Sequence, residues 1–275
     1  MLKSVIVSFL AVLALTSTPA EATNQGFTKV AGDVYRYQNN FHFSLVVVTP
    51  DGVVVVDPIN AHAAGNLKKA LPQITDKPIT HLIYSHSHFD HASGGAELAA
   101  KTIIAHASAP KEIDGVVPTE RFQDTKTLKV GGKTIELTWL GEGHGKDLIA
   151  VVVRPENVAF IVDAAAPKRL PYRDFPHSDI DGWINQIKKI ESLDFKIFAP
   201  GHGRVGVKAD ATDARVYIER LRARVLEGLQ AGKSEDDLAT GVKMEAYKDW
   251  IQYGAWRELN VRGMARYLRQ TGKVK

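Results

Sequence analysis

Apolar positions in the first two thirds of the chain cluster in short runs, and helical stripes appear only later. Residues 43–49 and 53–57 are rich in valine and are split by Pro50-Asp51-Gly52. Continuous apolar runs bounded by turn residues predict buried strands. On the same grounds strands are expected over 29–37, 80–85, 102–105 and 196–199. Gly131-Gly132 separates apolar runs at 128–130 and 134–140, and a Gly-Gly pair supplies the positive φ of a tight hairpin turn. Residues 149–153 and 158–162 form a further strand pair. Helices are expected over 63–71, stopped by Pro72, from near Ala92, and over 180–193. Beyond Gly203 the period lengthens. Val216, Leu221, Val225 and Leu229 predict a helix over 212–230, with Thr212 or Asp213 as its N-cap. Shorter helices are expected near 234–239 and 261–269, with Trp250, Tyr253 and Trp256 between them.

One pattern occurs twice. Val46-Val47-Val48-Thr49-Pro50-Asp51-Gly52 runs on through valines to Asp57. Val151-Val152-Val153-Arg154-Pro155-Glu156-Asn157 runs on through Val158 to Asp163. Each reads as strand, proline-containing turn, strand, aspartate. A pair of related halves would look like this, and so would any two buried hairpins.

Composition narrows the field modestly. The chain has 275 residues, enough for one large domain, and a net charge of +4 with both signs interspersed. No clustered basic face argues for nucleic acid, and the small excess favours at most anionic small molecules. There is no cysteine, so disulfides, thiol nucleophiles and cysteine-zinc sites are excluded. Lys3 followed by an apolar stretch at 5–15, too short to span a bilayer, reads as a targeting segment. Ala20-Glu21-Ala22 places cleavage after Ala22, with Thr18-Pro19-Ala20 as the other option. The expectation is a periplasmic or secreted protein, with a signal peptide at 1–22, a catalytic domain at 23–206 and a helical extension at 207–275. No stable membrane insertion is expected after cleavage.

The chemistry sits in His86-Ser87-His88-Phe89-Asp90-His91, four metal-binding side chains within six residues. Imidazole and carboxylate are ligands for zinc and similar ions, and one tetrahedral ion cannot easily use so many sequence neighbours. A pair of ions can. Further candidates follow: Gly143-His144-Gly145, Asp163 after an apolar run, and Gly201-His202-Gly203, with Asp57 ending an earlier run. In order, spacing and flanking glycines this set resembles the metallo-β-lactamase superfamily over about residues 28–205.

The resemblance implies an α/β fold, the αββα sandwich; the helical segment reads from its own pattern as a cap packed on it, the alternative being that its aromatics wall the pocket or form a dimer contact. It implies two zinc ions, with iron or manganese as alternatives. His86, His88 and His144 would hold the first ion, Asp90, His91 and His202 the second, and Asp163 would bridge them. Asp57 would orient a ligand from behind. A metal-activated hydroxide would attack a carbonyl, with a water or Asp90 handling the proton. Many β-lactam-hydrolysing members carry Cys or Ser where this chain has Asp163. The expected substrate is therefore a small lactone, ester, thioester or amide. A true β-lactamase and a metal-dependent sulfur or redox enzyme on the same scaffold stand as alternatives. His42, His62, His81, His106 and His177 are expected to be structural or surface residues, with His42 and His177 nearest to pocket candidates. Lys168, Arg169, Tyr172 and Arg173 follow Asp163 on a loop that could reach substrate, and a solvated loop is the first expectation for them.

Overall fold

Two β-sheets packed face to face form the centre of the computed structural model, which describes residues 25–176 and 178–274. The expected signal peptide and His177 lie outside those residues. The first sheet holds β1 (Gln25–Ala31), β2 (Val34–Asn39), β3 (His42–Thr49), β4 (Gly52–Val56), β5 (Ile79–Ile83), β6 (Thr102–His106) and β7 (Glu120–Phe122), in that spatial order. The second runs from β13 (Gly206–Val207) through β12 (Ile197–Pro200), β11 (Val158–Ile161), β10 (Ile149–Arg154) and β9 (Lys133–Trp139) to β8 (Thr125–Val130).

The valine runs are continuous because these strands are buried on both faces. Val47, Val54 and Val56 point between the sheets, where they meet Ile135, Val151 and Phe160. Val46, Val53 and Val55 point the other way, against Leu67 of α1 (Ala61–Ala70). Two further helices follow in chain order: α2 (Phe89–Ala92) and α3 (Ile180–Ser192). Trp183 and Ile187 of α3 cover the outer face of the second sheet. With them pack α4 (Ala209–Gln230), α5 (Glu235–Gly241) and α6 (Tyr253–Gln270). This is the expected αββα sandwich with a helical C-terminal extension. No helix among the described residues is long and apolar enough to cross a membrane.

Four boundaries differ from expectation. Residues 29–37 are not one strand: Gly32 takes φ +50° and folds β1 back on β2. The helix expected from near Ala92 is instead the single turn α2, which carries Asp90 and His91. Helix α4 starts a turn early, at Ala209, so Thr212 and Asp213 lie inside it. Asp210 Oδ2 accepts from the Val207 N–H at that end. Helix α6 starts at Tyr253, placing Tyr253 and Trp256 on the helix. Its glycines hide it from a propensity reading. Gly263 has a tertiary reason: a Cβ there would lie 2.2 Å from the Asp174 carbonyl oxygen.

The duplicated pattern has a structural counterpart. Strands β3 and β4 are antiparallel and β4 runs parallel to β5; β10 and β11 are antiparallel and β11 runs parallel to β12. Asp57 and Asp163 follow the second strand of each unit, at φ +62° and +55°. Asp57 accepts hydrogen bonds from the Ser85 backbone N–H (2.7 Å) and hydroxyl (2.6 Å). It thereby ties the end of β4 to the loop that leaves β5. Burial pushes its carboxyl up to about 8, against the pull of those two bonds.

Replacing Asp57 with Ala should leave the Ser85 N–H unsatisfied in a dry site and cost about 1–3 kcal/mol of unfolding free energy. Urea unfolding should show this. Asp57→Asn, whose amide oxygen can still accept, should lose less.

Candidate metal centre

Most of the candidate side chains follow the C-terminal end of a strand, where the sheet stops supplying backbone partners and the chain turns across the sandwich edge. His86 and His88 lie on the loop after β5, and Asp90 and His91 on α2. His144 lies between β9 and β10. Its loop is pressed onto the start of α3: a Cβ on Gly143 would come 2.5 Å from the Trp183 nitrogen. Gln186 accepts from the His144 N–H (2.8 Å), and the imidazole meets the Trp183 ring edge-on at 4.6 Å. Gly145, at φ +80°, completes that turn. Asp163 follows β11. His202 follows β12 in a loop pinned by Arg36, which donates to the carbonyls of Pro200 (3.1 Å) and Gly203 (2.9 Å).

These residues converge. Asp163 Oδ2 lies 3.4 Å from His86 Nε2 and 3.2 Å from His144 Nε2. Asp163 Oδ1 lies 3.3 Å from His91 Nε2 and 3.0 Å from His202 Nε2. Two donor groups result: His86, His88, His144 and Asp163, and His42, Asp90, His91 and His202. Within each group one donor atom per residue lies within 4.8 Å of all the others. All seven residues expected as ligands are in this constellation. Asp57 sits behind it, with Oδ2 3.9 Å from His91 Nδ1.

His42 was ranked too low. It opens β3, and its Nε2 lies 3.2 Å from Asp90 Oδ2, so it joins the second group. No spacing relates it to the motif; only its place at the start of a core strand marked it. The other described histidines have ordinary partners. His106 stacks on Trp139 at 4.8 Å, His81 bonds the Thr80 hydroxyl and His62 bonds Asn66.

The donor set fits a pair of divalent ions. Buried His86 Nε2 and both ring nitrogens of His144 have no hydrogen-bond partner among the described residues. His91 Nε2 and His202 Nε2 face each other at 3.0 Å, while His202 Nδ1 is occupied by the Phe41 carbonyl. Buried lone pairs aimed at a common point are costly unless a cation meets them. Imidazole with carboxylate suits zinc, manganese or iron. Electrostatics prepares most of the donors. Burial lowers His86 to about 3 and also lowers His88 and His91, keeping them neutral. Burial alone would raise Asp163, but the surrounding histidines outweigh it and hold the carboxyl well below its ordinary range. Burial also opposes ionisation of Asp90, yet the His42 hydrogen bond and the nearby histidines bring it down to about 2. His202 goes the other way: Asp163 overcomes the desolvation and raises it.

The donors face a cavity of about 730 Å³. Its wall includes Phe41, Phe89, Ala164, Leu170, Tyr172 and Trp256, so Arg169 and Tyr172 on the loop after Asp163 are not merely solvated, as expected, but line the pocket. Phe41 and Phe89 are exposed at the rim.

The chain matches known proteins in sequence and in fold. The family model described as metallo-beta-lactamase superfamily matches residues 38–202. The chain is similar to the 2,4-dinitroanisole O-demethylase subunit alpha of Nocardioides sp. (strain JS1661), 27% identical over 222 residues, 76% of this chain and 67% of that protein. It is also similar to the metallo-beta-lactamase type 2 of Bacillus sp. (strain 170), 27% identical over 180 residues, 60% of this chain and 67% of that one. Among solved structures, a stereoselective inverting sec-alkylsulfatase from Pseudomonas sp. superposes with a TM-score of 0.73 at 15% identity, covering 90% of this chain and 50% of that chain.

Acidifying the metal-loaded protein should release one ion before the other. Protons compete for the raised His202 at a higher pH than for His86, at about 3. Dialysis at stepped pH with metal analysis should show a plateau near a single equivalent; simultaneous loss would show that the raised His202 does not set the order of release. His42→Ala should weaken the more acid-labile ion about 10–100-fold, and His106→Ala should leave metal content unchanged.

Proposed function

The chain belongs to the metallo-β-lactamase superfamily and is a metallo-hydrolase; on that premise we propose that it is an exported enzyme using two zinc ions to hydrolyse a small carbonyl compound, a lactone, ester, thioester or amide. The observation that carries this reading is the meeting of two complete donor groups at Asp163, on the floor of a largely apolar cavity. His86, His88 and His144 would hold one ion and Asp90, His91 and His202 the other, with His42 beside them and the Asp163 carboxylate between the two groups.

When bound, the ions would supply Lewis acidity toward the carbonyl oxygen and acidify a water at neutral pH. The protein supplies the rest. Apolar walls exclude bulk water and so strengthen every polar interaction on the floor. Ala164, Ala165 and Ala166 leave room above the donors for the scissile group. Asp90, lowered to about 2, stays ionised across the neutral range. It therefore serves as a hydrogen-bond acceptor that orients the attacking water, and its low basicity leaves little capacity to store the proton.

The bridging carboxylate supports carbonyl hydrolysis in general over β-lactam hydrolysis in particular. The likeness to a β-lactamase of Bacillus sp. keeps that second reading in the test. The decisive measurement pairs metal analysis of the protein from residue 23 onward with a panel holding an aryl ester, an acyl-homoserine lactone and a chromogenic cephalosporin. About two zincs per chain, with ester or lactone turnover that a chelator removes, is the expected result. Comparable cephalosporin turnover would favour the β-lactamase reading. Iron with a silent panel would move the assignment to sulfur or redox chemistry. Asp163→Ala should abolish hydrolysis and loosen the ion pair.

A further inference from the structure

The loop after Asp163 places a cation in the cavity wall. Arg169 is the sole lysine or arginine among the residues lining it. Its neighbours are otherwise engaged: Lys168 pairs with Asp213 and lies over the Trp250 ring, and the Arg173 guanidinium lies over Tyr172. The Arg169 guanidinium lies over the Trp256 ring, 4.8 Å from its centroid, and has no hydrogen bond or ion pair among the described residues.

Its backbone is held on several sides. Arg169 forms a parallel bridge with Ile251: the Leu170 N–H donates to the Ile251 carbonyl (3.1 Å) and the Ile251 N–H to the Lys168 carbonyl (2.8 Å). Farther along the loop, fully buried Asn260 of α6 donates to the carbonyls of Pro171 (3.0 Å) and Arg173 (2.6 Å), and Tyr217 of α4 donates to Asn260 Oδ1 (2.7 Å). On its other side the Arg169 stem passes Gly203, next to His202; a Cβ on Gly203 would lie 3.9 Å from Arg169 Cδ. The cation is thus fixed beside the donor groups.

A guanidinium stacked on an aromatic ring keeps its edge free, and that edge carries donors in a planar fork matched to an oxyanion. We propose that Arg169 is an anion subsite, and that the substrate joins an apolar, aromatic or alkyl body to a carboxylate or comparable oxyacid group. The body packs among Phe41, Phe89, Tyr172 and Trp256, and the oxyanion takes a bidentate pair of hydrogen bonds from Arg169. The scissile carbonyl then lies over the His and Asp donors. This assignment rests on the hydrolase reading for the scissile group but not for the anion.

The test compares two aryl esters with the metal-loaded protein: 4-nitrophenyl valerate and mono-4-nitrophenyl glutarate, similar in size and differing in the terminal carboxylate. Arg169→Gln should lower the preference for the acidic ester, as a ratio of kcat/KM values, about 10- to 100-fold, with the loss in KM. Arg169→Lys, keeping charge but not the fork, should restore part of it. An unchanged ratio in both variants would overturn the proposal and leave Arg169 as a staple between the loop and α6. A second arm needs no turnover: 4-phenylbutyrate binding by calorimetry should weaken in Arg169→Gln by a similar factor. If no ester is hydrolysed but this binding depends on Arg169, the hydrolase reading fails and the anion subsite stands. Binding indifferent to Arg169 would remove the subsite.

Discussion

The buried carboxylate of Asp163 is the constraint around which the rest is arranged. Each oxygen faces two imidazoles, so one short side chain links the loops after β5, β9 and β12 with its own strand β11. Left alone, such a charge in a dry site would be driven to protonate. Surrounded by histidines it stays ionised, and His86 and His91 stay neutral because they too are buried. The arrangement makes sense as a receptacle for cations: negative charge at the centre, bare nitrogen lone pairs around it, and an apolar frame that gives them no other partner.

That frame is the same unit used twice. A buried antiparallel hairpin, a parallel neighbour and a left-handed aspartate recur in each sheet. The two aspartates do different work. Asp57 satisfies the Ser85 N–H and hydroxyl and so fixes where the His86–His91 loop begins. Asp163, at the corresponding place in the second sheet, projects among the imidazoles. Holding one copy for structure and the other for chemistry places the donors on a rigid edge, as precise positioning of metal ligands requires.

The C-terminal helices do more than cover the second sheet. Asn260 and Ile251 tie down the loop that carries Arg169 and Tyr172, and Trp256 stands as the cavity wall behind the guanidinium. Part of the cavity wall is therefore supplied from outside the motif-bearing core. Phe41, Phe89 and Ala164 of the wall stand next to donors in the chain, whereas Trp256 comes from α6, so that part can vary while the donors are kept.

Through its resemblance to the metallo-β-lactamase superfamily the sequence implied the sandwich and the seven candidate donors; by itself it placed the strands and set most of the donors just after strand ends. These are local matters: apolar runs long enough only for strands, glycines where the chain must turn, and donor side chains immediately after them. It could not rank His42, because nothing local separates a histidine that opens β3 from one such as His106 that stacks on Trp139. Nor could it place the start of α6 or free Arg169 from a solvated loop. Both depend on contacts between residues far apart in the chain: Gly263 against Asp174, Ile251 against Arg169, Trp256 under a guanidinium. Spacing and periodicity record what a residue does with its near neighbours. Which distant side chains share a cavity is decided only when the sheets and helices pack, since burial and pairing energies exist only in the folded arrangement.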